Sequence, residues 1–203
     1  MDDIEDLQER MASVLIGICT EDFSELLDLT SLLNAKGVRY LILGPGERVA
    51  AHLDCLILHK GTGMPLLFGG PVPLVTMERG PLVTIDRALA ASWGLERASM
   101  LIIGVDPGSR PGVAYLLDGR LVAVHRSSST EDLLRNVLAR KKAYRTRRTL
   151  VKVGNGDPGS RDRIVKGLRE AKLQMTVVDE RCTSLSKRRR DEMAAIRIAR
   201  IGC

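Results

Sequence analysis

The sequence predicts two α/β units in tandem: a small three-layer α/β domain with a parallel sheet over residues 1–98, then a mixed five-stranded sheet with flanking helices over residues 99–203. Three observations carry this reading. Strand-length apolar runs alternate with leucine-spaced helical stretches through the first half. The second half opens instead with three strand-like runs, two of them joined by a tight hairpin, before helix and strand begin to alternate. Charge also changes sign between the halves: residues 1–98 carry 14 acidic and 8 basic side chains, residues 99–203 carry 11 and 23.

In the first unit, SVLIGIC is a continuous apolar run of strand length, and EDFSELLDLTSLLNAKG reads as a helix closed by a glycine. VRYLILG is a second strand, so the three make a βαβ unit with a right-handed crossover. Short apolar runs follow at DCLILHK, PLVTM and PLVTID, before a helix in RALAASWGLE. The glycine-rich loops GPGE and KGTGMP have neither the G-x-x-x-x-G-K-[ST] nor the G-x-G-x-x-G spacing of phosphate-binding loops, and read as turns.

In the second unit, MLIIGVD is a strand and GVAYLLDGRLVAVHR is a hairpin turning at Asp118-Gly119. STEDLLRNVLARKKAY starts a helix with a hydroxyl cap at Ser129 or Thr130. Strand LVKVG, helix SRDRIVKGLREAK, strand MTVVD and a last helix from about Ser184 to Ile201 complete the order. Three antiparallel strands followed by αβαβα is the order of the ribonuclease H-like fold.

The 203 residues are 44% hydrophobic and 28% charged, an ordinary globular composition. No apolar run approaches the roughly 18 residues that would cross a bilayer, and the start MDDIEDLQER is acidic, the wrong sign for a secretory signal. The expected location is therefore the cytoplasm, with no membrane partner. Cys19, Cys55, Cys182 and Cys203 show no C-x-x-C pairing and read as free thiols. The net charge of +12 in the second half points to a polyanion, nucleic acid being the commonest, while a positive domain docking on a negative one accounts for the same count.

Three carboxylates stand at places where chemistry can be done. Asp106 follows LIIGV without a spacer, so it projects from a strand end, and Pro107-Gly108 then turns the chain and leaves room for a phosphodiester or a hard cation; an ordinary Asp-Pro-Gly turn has the same letters. Asp179 and Glu180 end the run MTVV, and strand alternation lets only one of them face the side of Asp106. Asp191 lies three, four and seven residues before Ala194, Ala195 and Ile198, so it shares the apolar face of its helix and needs a cation: a metal, or Lys187 or Arg188 one turn earlier.

The segments GVDPGSRPGVAYLLDG, VVDERCTSL and RDEMAAIRIA resemble the three signature regions of the RuvC/YqgF group of the ribonuclease H-like superfamily, over about residues 99–203 and in the same order. The chain is most similar to the uncharacterised archaeal nucleases of that group, which also holds Holliday-junction resolvases and nucleases of ribosomal RNA precursors. The resemblance implies catalytic and metal-binding roles for Asp106, Glu180 and Asp191, with Asp157 and Asp179 as further metal candidates. It implies hydrolysis of phosphodiesters assisted by two Mg²⁺ or Mn²⁺ ions, one activating water and the other stabilising the leaving oxygen. Resolvases carry an acid on the strand after the first helix, where LVKVGNGD offers Lys152 and Gly154; there the sequence follows the YqgF branch.

Substrate grip is expected from Arg110, from Arg140, Lys141, Lys142, Arg145, Arg147 and Arg148, from Arg161, and from Lys187, Arg188, Arg189 and Arg190. Aromatic residues are only 3% of the chain, so backbone and shape recognition of branched DNA or structured RNA is favoured over base stacking. DPGSR occurs twice, and the copy at Asp157–Arg161 reads as a turn and helix start that could hold a phosphate. Two other readings stay open: a nucleic-acid-binding scaffold without catalysis, and an actin-like or sugar-kinase ATPase, which would need a duplicated core. A homodimer, as a resolvase would need, and a protein partner for residues 1–98 complete the expected partners.

Overall fold

The computed structural model describes residues 2–49, 52–63, 65–67, 71–77, 80–179 and 190–202. The chain divides into two compact units, Met1–Glu96 and Arg97–Cys203, and both are α/β. No helix among the described residues is long and apolar enough to cross a membrane.

The first unit runs α1 (Asp3–Ser13), β1 (Leu15–Cys19), α2 (Phe23–Lys36), β2 (Arg39–Ile42), β3 (Arg48–Val49), β4 (Cys55–Leu58), β5 (Leu66–Leu67), β6 (Leu74–Thr76) and α3 (Pro81–Ser92). The four-stranded sheet β2-β1-β4-β6 is parallel throughout, and β3 pairs with β5 separately. Two elements were hidden by their composition. The acidic start is a helix, because Asp2 and Glu5 form a reciprocal capping box ahead of buried Ile4, Leu7 and Met11. PLVTID is no strand but the opening of α3, with Pro81 in the first turn, where its missing N–H costs nothing, and Ile85 and Leu89 buried one turn apart. Lys36 of α2 pairs with the buried Asp86 of α3 at 3.5 Å, which ties the two helices.

Cys19 and Cys55 are buried free thiols. Burial, reinforced by Glu21 and Glu47, raises the pKa of Cys19; burial pushes Cys55 up to about 12. Neither thiol is an available nucleophile at neutral pH.

The second unit runs β7 (Met100–Asp106), β8 (Gly112–Leu117), β9 (Arg120–Arg126), α4 (Thr130–Tyr144), β10 (Arg148–Gly154), α5 (Pro158–Glu170), β11 (Met175–Val178) and α6 (Arg190–Arg200). Its sheet has the order β11-β10-β7-β8-β9, with β8 antiparallel to both neighbours and the other pairings parallel. Helices α4 and α5 pack together on one face, and α6 crosses β7, β8, β9 and β10 on the other. The first unit's parallel four-stranded sheet does not repeat this antiparallel opening among the described residues.

The hairpin turn takes the left-handed conformation at both Asp118 (φ 45°) and Gly119 (φ 82°), as a two-residue turn matching strand twist demands. The Asp118 carboxylate accepts hydrogen bonds from the Ser99 and Met100 backbone N–H groups and the Ser99 hydroxyl, so the turn is pinned to the start of β7. Burial opposes ionisation of Asp118, but these donors outweigh it and hold the pKa below the ordinary 3.8. A depressed carboxylate pKa contributes stability that is present above 3.8 and fades as pH falls through the lower folded value. Asn tolerates the same backbone, so Asp118→Asn isolates the charge. We expect the variant to be less stable than the parent at pH 7, by at most about 1 kcal/mol for so exposed a group, and the gap to narrow steadily below pH 3.8. A gap independent of pH in urea titrations would show that the charge is irrelevant.

Candidate functional site

Strands β7, β9, β10 and β11 run the same way, so their carboxyl ends meet at one edge of the second sheet, where α5 and α6 begin. Open α/β sheets take ligands at such an edge. Asp106 ends β7 there and pairs with Gly112, which pairs in turn with Arg126 at the end of β9. Residues paired across strands share a face, so Asp106 and Arg126 flank Gly112 on one side of the sheet.

That side is the one α6 covers, and two glycines let it come close. A Cβ at Gly104 would stand 2.0 Å from the Ala195 carbonyl oxygen and 2.7 Å from the Ala199 nitrogen; one at Gly112 would stand 2.2 Å from the Asp191 carbonyl oxygen. The sheet floor has no side chains at these two points, and α6 rests on the backbone. Asp191 in the first turn of α6 is thereby set over Gly112, next to Asp106 in the strand row. The other end of the helix is held by Lys152 of β10, which is 4% exposed and donates to the Ala199 and Ile201 carbonyls at 2.8 and 2.6 Å. An ammonium at the last helical carbonyls also suits the helix dipole.

Lys187 and Arg188, the partners the sequence offered to Asp191, lie outside the described residues; among those described, a different cation answers its carboxylate. It is Arg126, whose Nε approaches the carboxylate at 3.2 Å. Arg126 was not among the candidates from sequence.

The two DPGSR copies meet at this edge. The Ser160 hydroxyl donates to the Gly108 carbonyl at 2.8 Å, and a Cβ at Gly156 would stand 3.5 Å from the Pro107 carbonyl oxygen and 4.0 Å from an Asp106 carboxylate oxygen. Asp157 is the N-cap of α5, one of its carboxylate oxygens accepting from the Ser160 backbone N–H at 2.8 Å. Arg161 is tied to the Asn155 amide oxygen and, at 2.9 Å, to Asp162, so its fork holds the loop beside the turn instead of standing open to phosphate. Arg110 is exposed in the first copy.

Asp179 is exposed and follows Val178, which shares the α6 face with Thr176 and Lys152; continuing the alternation assigns Asp179 to the opposite face. Glu180, Lys187, Arg188 and Arg189 lie outside the described residues, as does the side chain of Arg190. Arg140 does not face solvent. It is 2% exposed, its guanidinium lies 4.5 Å from the centre of the Tyr115 ring, and the His125 ring stacks on the same tyrosine. Its charge is spent on the aromatic core and not on a polyanion.

Lys141, Lys142, Arg145, Arg147 and Arg148 are exposed, but at the far edge. Arg148 begins β10 and Gly154 ends it, so this cluster is separated from the Asp106 edge by the length of the strand, about 20 Å.

A pair of carboxylates is the donor chemistry a hard divalent cation requires, and the guanidinium on Asp191 marks a position that favours positive charge. Among the described residues no group of three His, Cys, Asp or Glu gathers that could hold a metal ion.

No protein-family profile matches the chain, and no curated protein does. Among solved structures it is similar to a crystal structure of N-acetyl-L-ornithine transcarbamylase at 10% identity and a TM-score of 0.26, over 84% of this chain. The chain spans 61% of the length of that transcarbamylase.

Proposed function

We propose that the second unit is a divalent-metal-dependent nuclease acting on structured nucleic acid, branched DNA or folded RNA, in the cytoplasm. One observation carries the reading: Asp106 and Asp191, 85 positions apart in the chain, adjoin the same glycine at the carboxyl edge of the sheet. Asp106 is fixed by its strand, and Asp191 by the backbone contact of α6 at Gly112. A cation held between them, with Glu180 as third ligand, would lower the pKa of an attacking water and offset charge on the leaving oxygen. Arg110, exposed in the turn after Asp106, would pair with a phosphate of the substrate. The exposed basic cluster at the far edge would hold the same nucleic acid by its backbone, with an affinity that falls as salt rises.

The full chain is expected to cleave a branched DNA or a structured RNA with Mg²⁺ or Mn²⁺. Asp106→Asn and Asp191→Asn should each abolish cleavage while leaving the circular dichroism spectrum and salt-sensitive binding unchanged. Binding without cleavage by the parent chain, over several substrates and both metals, would overturn the catalytic reading and leave the scaffold one, which the exposed cluster at residues 141–148 supports alone.

A further inference from the structure

The Arg126–Asp191 pair differs in kind from three helix-surface ion pairs of the second unit. It joins a strand end to a helix start across a bare glycine, and it engages an acid on which the proposed metal site depends. By contrast, Arg135–Asp132, Arg161–Asp162 and Lys166–Glu170 each join near neighbours on one helix. Arg126 also stands beside Gly112 on the side away from Asp106, so its guanidinium and a cation bound to Asp106 would approach Asp191 from opposite sides.

We propose that Arg126 is a positioning residue that holds Asp191 in place and competes with a divalent cation for its carboxylate, so that the site is neutralised from within until the metal displaces the guanidinium. The inference rests on the nuclease reading, because it needs Asp191 to be a ligand. The chemistry is an exchange of one cation for another on an acceptor. A carboxylate set over the sheet with no partner would carry unbalanced charge against the apolar face of α6, where Ala195 and Ile198 are buried. Arg126 removes that cost, and its reach from β9 keeps the first turn of α6 oriented. Both side chains are about two-fifths exposed, at 41% and 38%, so the pair is held weakly enough to yield. A bond of this exposure changes an equilibrium by up to about fivefold, which a divalent cation can overcome. On release, the guanidinium lies at the same edge as the substrate and can pair with a phosphate, for which its planar fork is suited.

The test is Mn²⁺ binding by the full chain, without nucleic acid, read from the loss of the free-ion paramagnetic resonance signal. Arg126→Gln should bind Mn²⁺ about fivefold more tightly than the parent. Arg126→Lys, which keeps the charge, should stay closer to the parent. Asp191→Asn should lose the binding, with circular dichroism confirming that all three variants fold. If Arg126→Gln binds Mn²⁺ no more tightly than the parent while Asp191→Asn loses it, Arg126 is a structural partner only; the inference fails and the metal site stands. If Asp106→Asn and Asp191→Asn bind Mn²⁺ like the parent, the metal reading itself fails and takes the inference with it.

Discussion

Gly104→Ala is expected to cost the second unit at least about 3 kcal/mol, a large part of the 5–15 kcal/mol that holds an ordinary domain together. The new methyl group would sit 2.0 Å from the Ala195 carbonyl oxygen, 2.7 Å from the Ala199 nitrogen and 2.8 Å from the Ala199 Cβ. These are helix backbone atoms and a methyl group fixed to them, so no rotamer change relieves the clash and α6 must move bodily. Moving it uncovers the buried Ile196, Ala199 and Ile198 and draws the last carbonyls away from Lys152. Hydrogen exchange of the amides of β7 reads the effect within this unit, free of the other unit's unfolding. Protection unchanged within about 1 kcal/mol would mean that α6 does not lie on the sheet as described.

The second large effect is local to the site. Gly112→Ala would place a methyl 2.2 Å from the Asp191 carbonyl oxygen and 2.5 Å from its carbon. Only a lift of the first turn of α6 makes room, and that separates Asp191 from Arg126 and from the row holding Asp106. We expect loss of about 2–3 kcal/mol together with loss of any Asp191-dependent Mn²⁺ binding and cleavage. Gly108→Ala is the matching control for stability: nothing lies within 4 Å of its added Cβ, so it should leave stability unchanged. If the two alanines behave alike, the close approach at Gly112 does not organise the site.

Elements that repeat their own period were legible: apolar runs for β1, β4, β7 and β8, leucine spacing for α2, and Asp118-Gly119 for the hairpin. Asp106 at a strand end and Asp191 on the inward side of its helix were legible for the same reason. Arg126 was not, and the cause is one residue. A two-residue turn pairs Leu117 with Arg120 and Leu116 with Leu121, and regular pairing would then set His125 opposite Gly112. A bulge between Tyr115 and Leu116 instead pairs Tyr115 with Ala123, so Arg126 arrives opposite Gly112 and His125 turns to Tyr115. Because side chains alternate, a single extra residue exchanges what the two faces receive. Arg140 escaped for a different reason: its run of cations reads as one surface, whereas the helix turns every fourth residue inward, and Arg140 follows Leu133 and Val137 into the core.

The distance between the exposed cations and the acids sets a length on whatever the unit holds. The run from Arg148 to Gly154 covers about 20 Å, and successive phosphates of one strand lie about 3.4 Å apart along a helix axis. A nucleic acid engaging both edges must therefore extend over about six nucleotides of one strand. On the nuclease reading proposed above, a mononucleotide or dinucleotide would reach one edge or the other but not both, and the two edges together would favour a polymer.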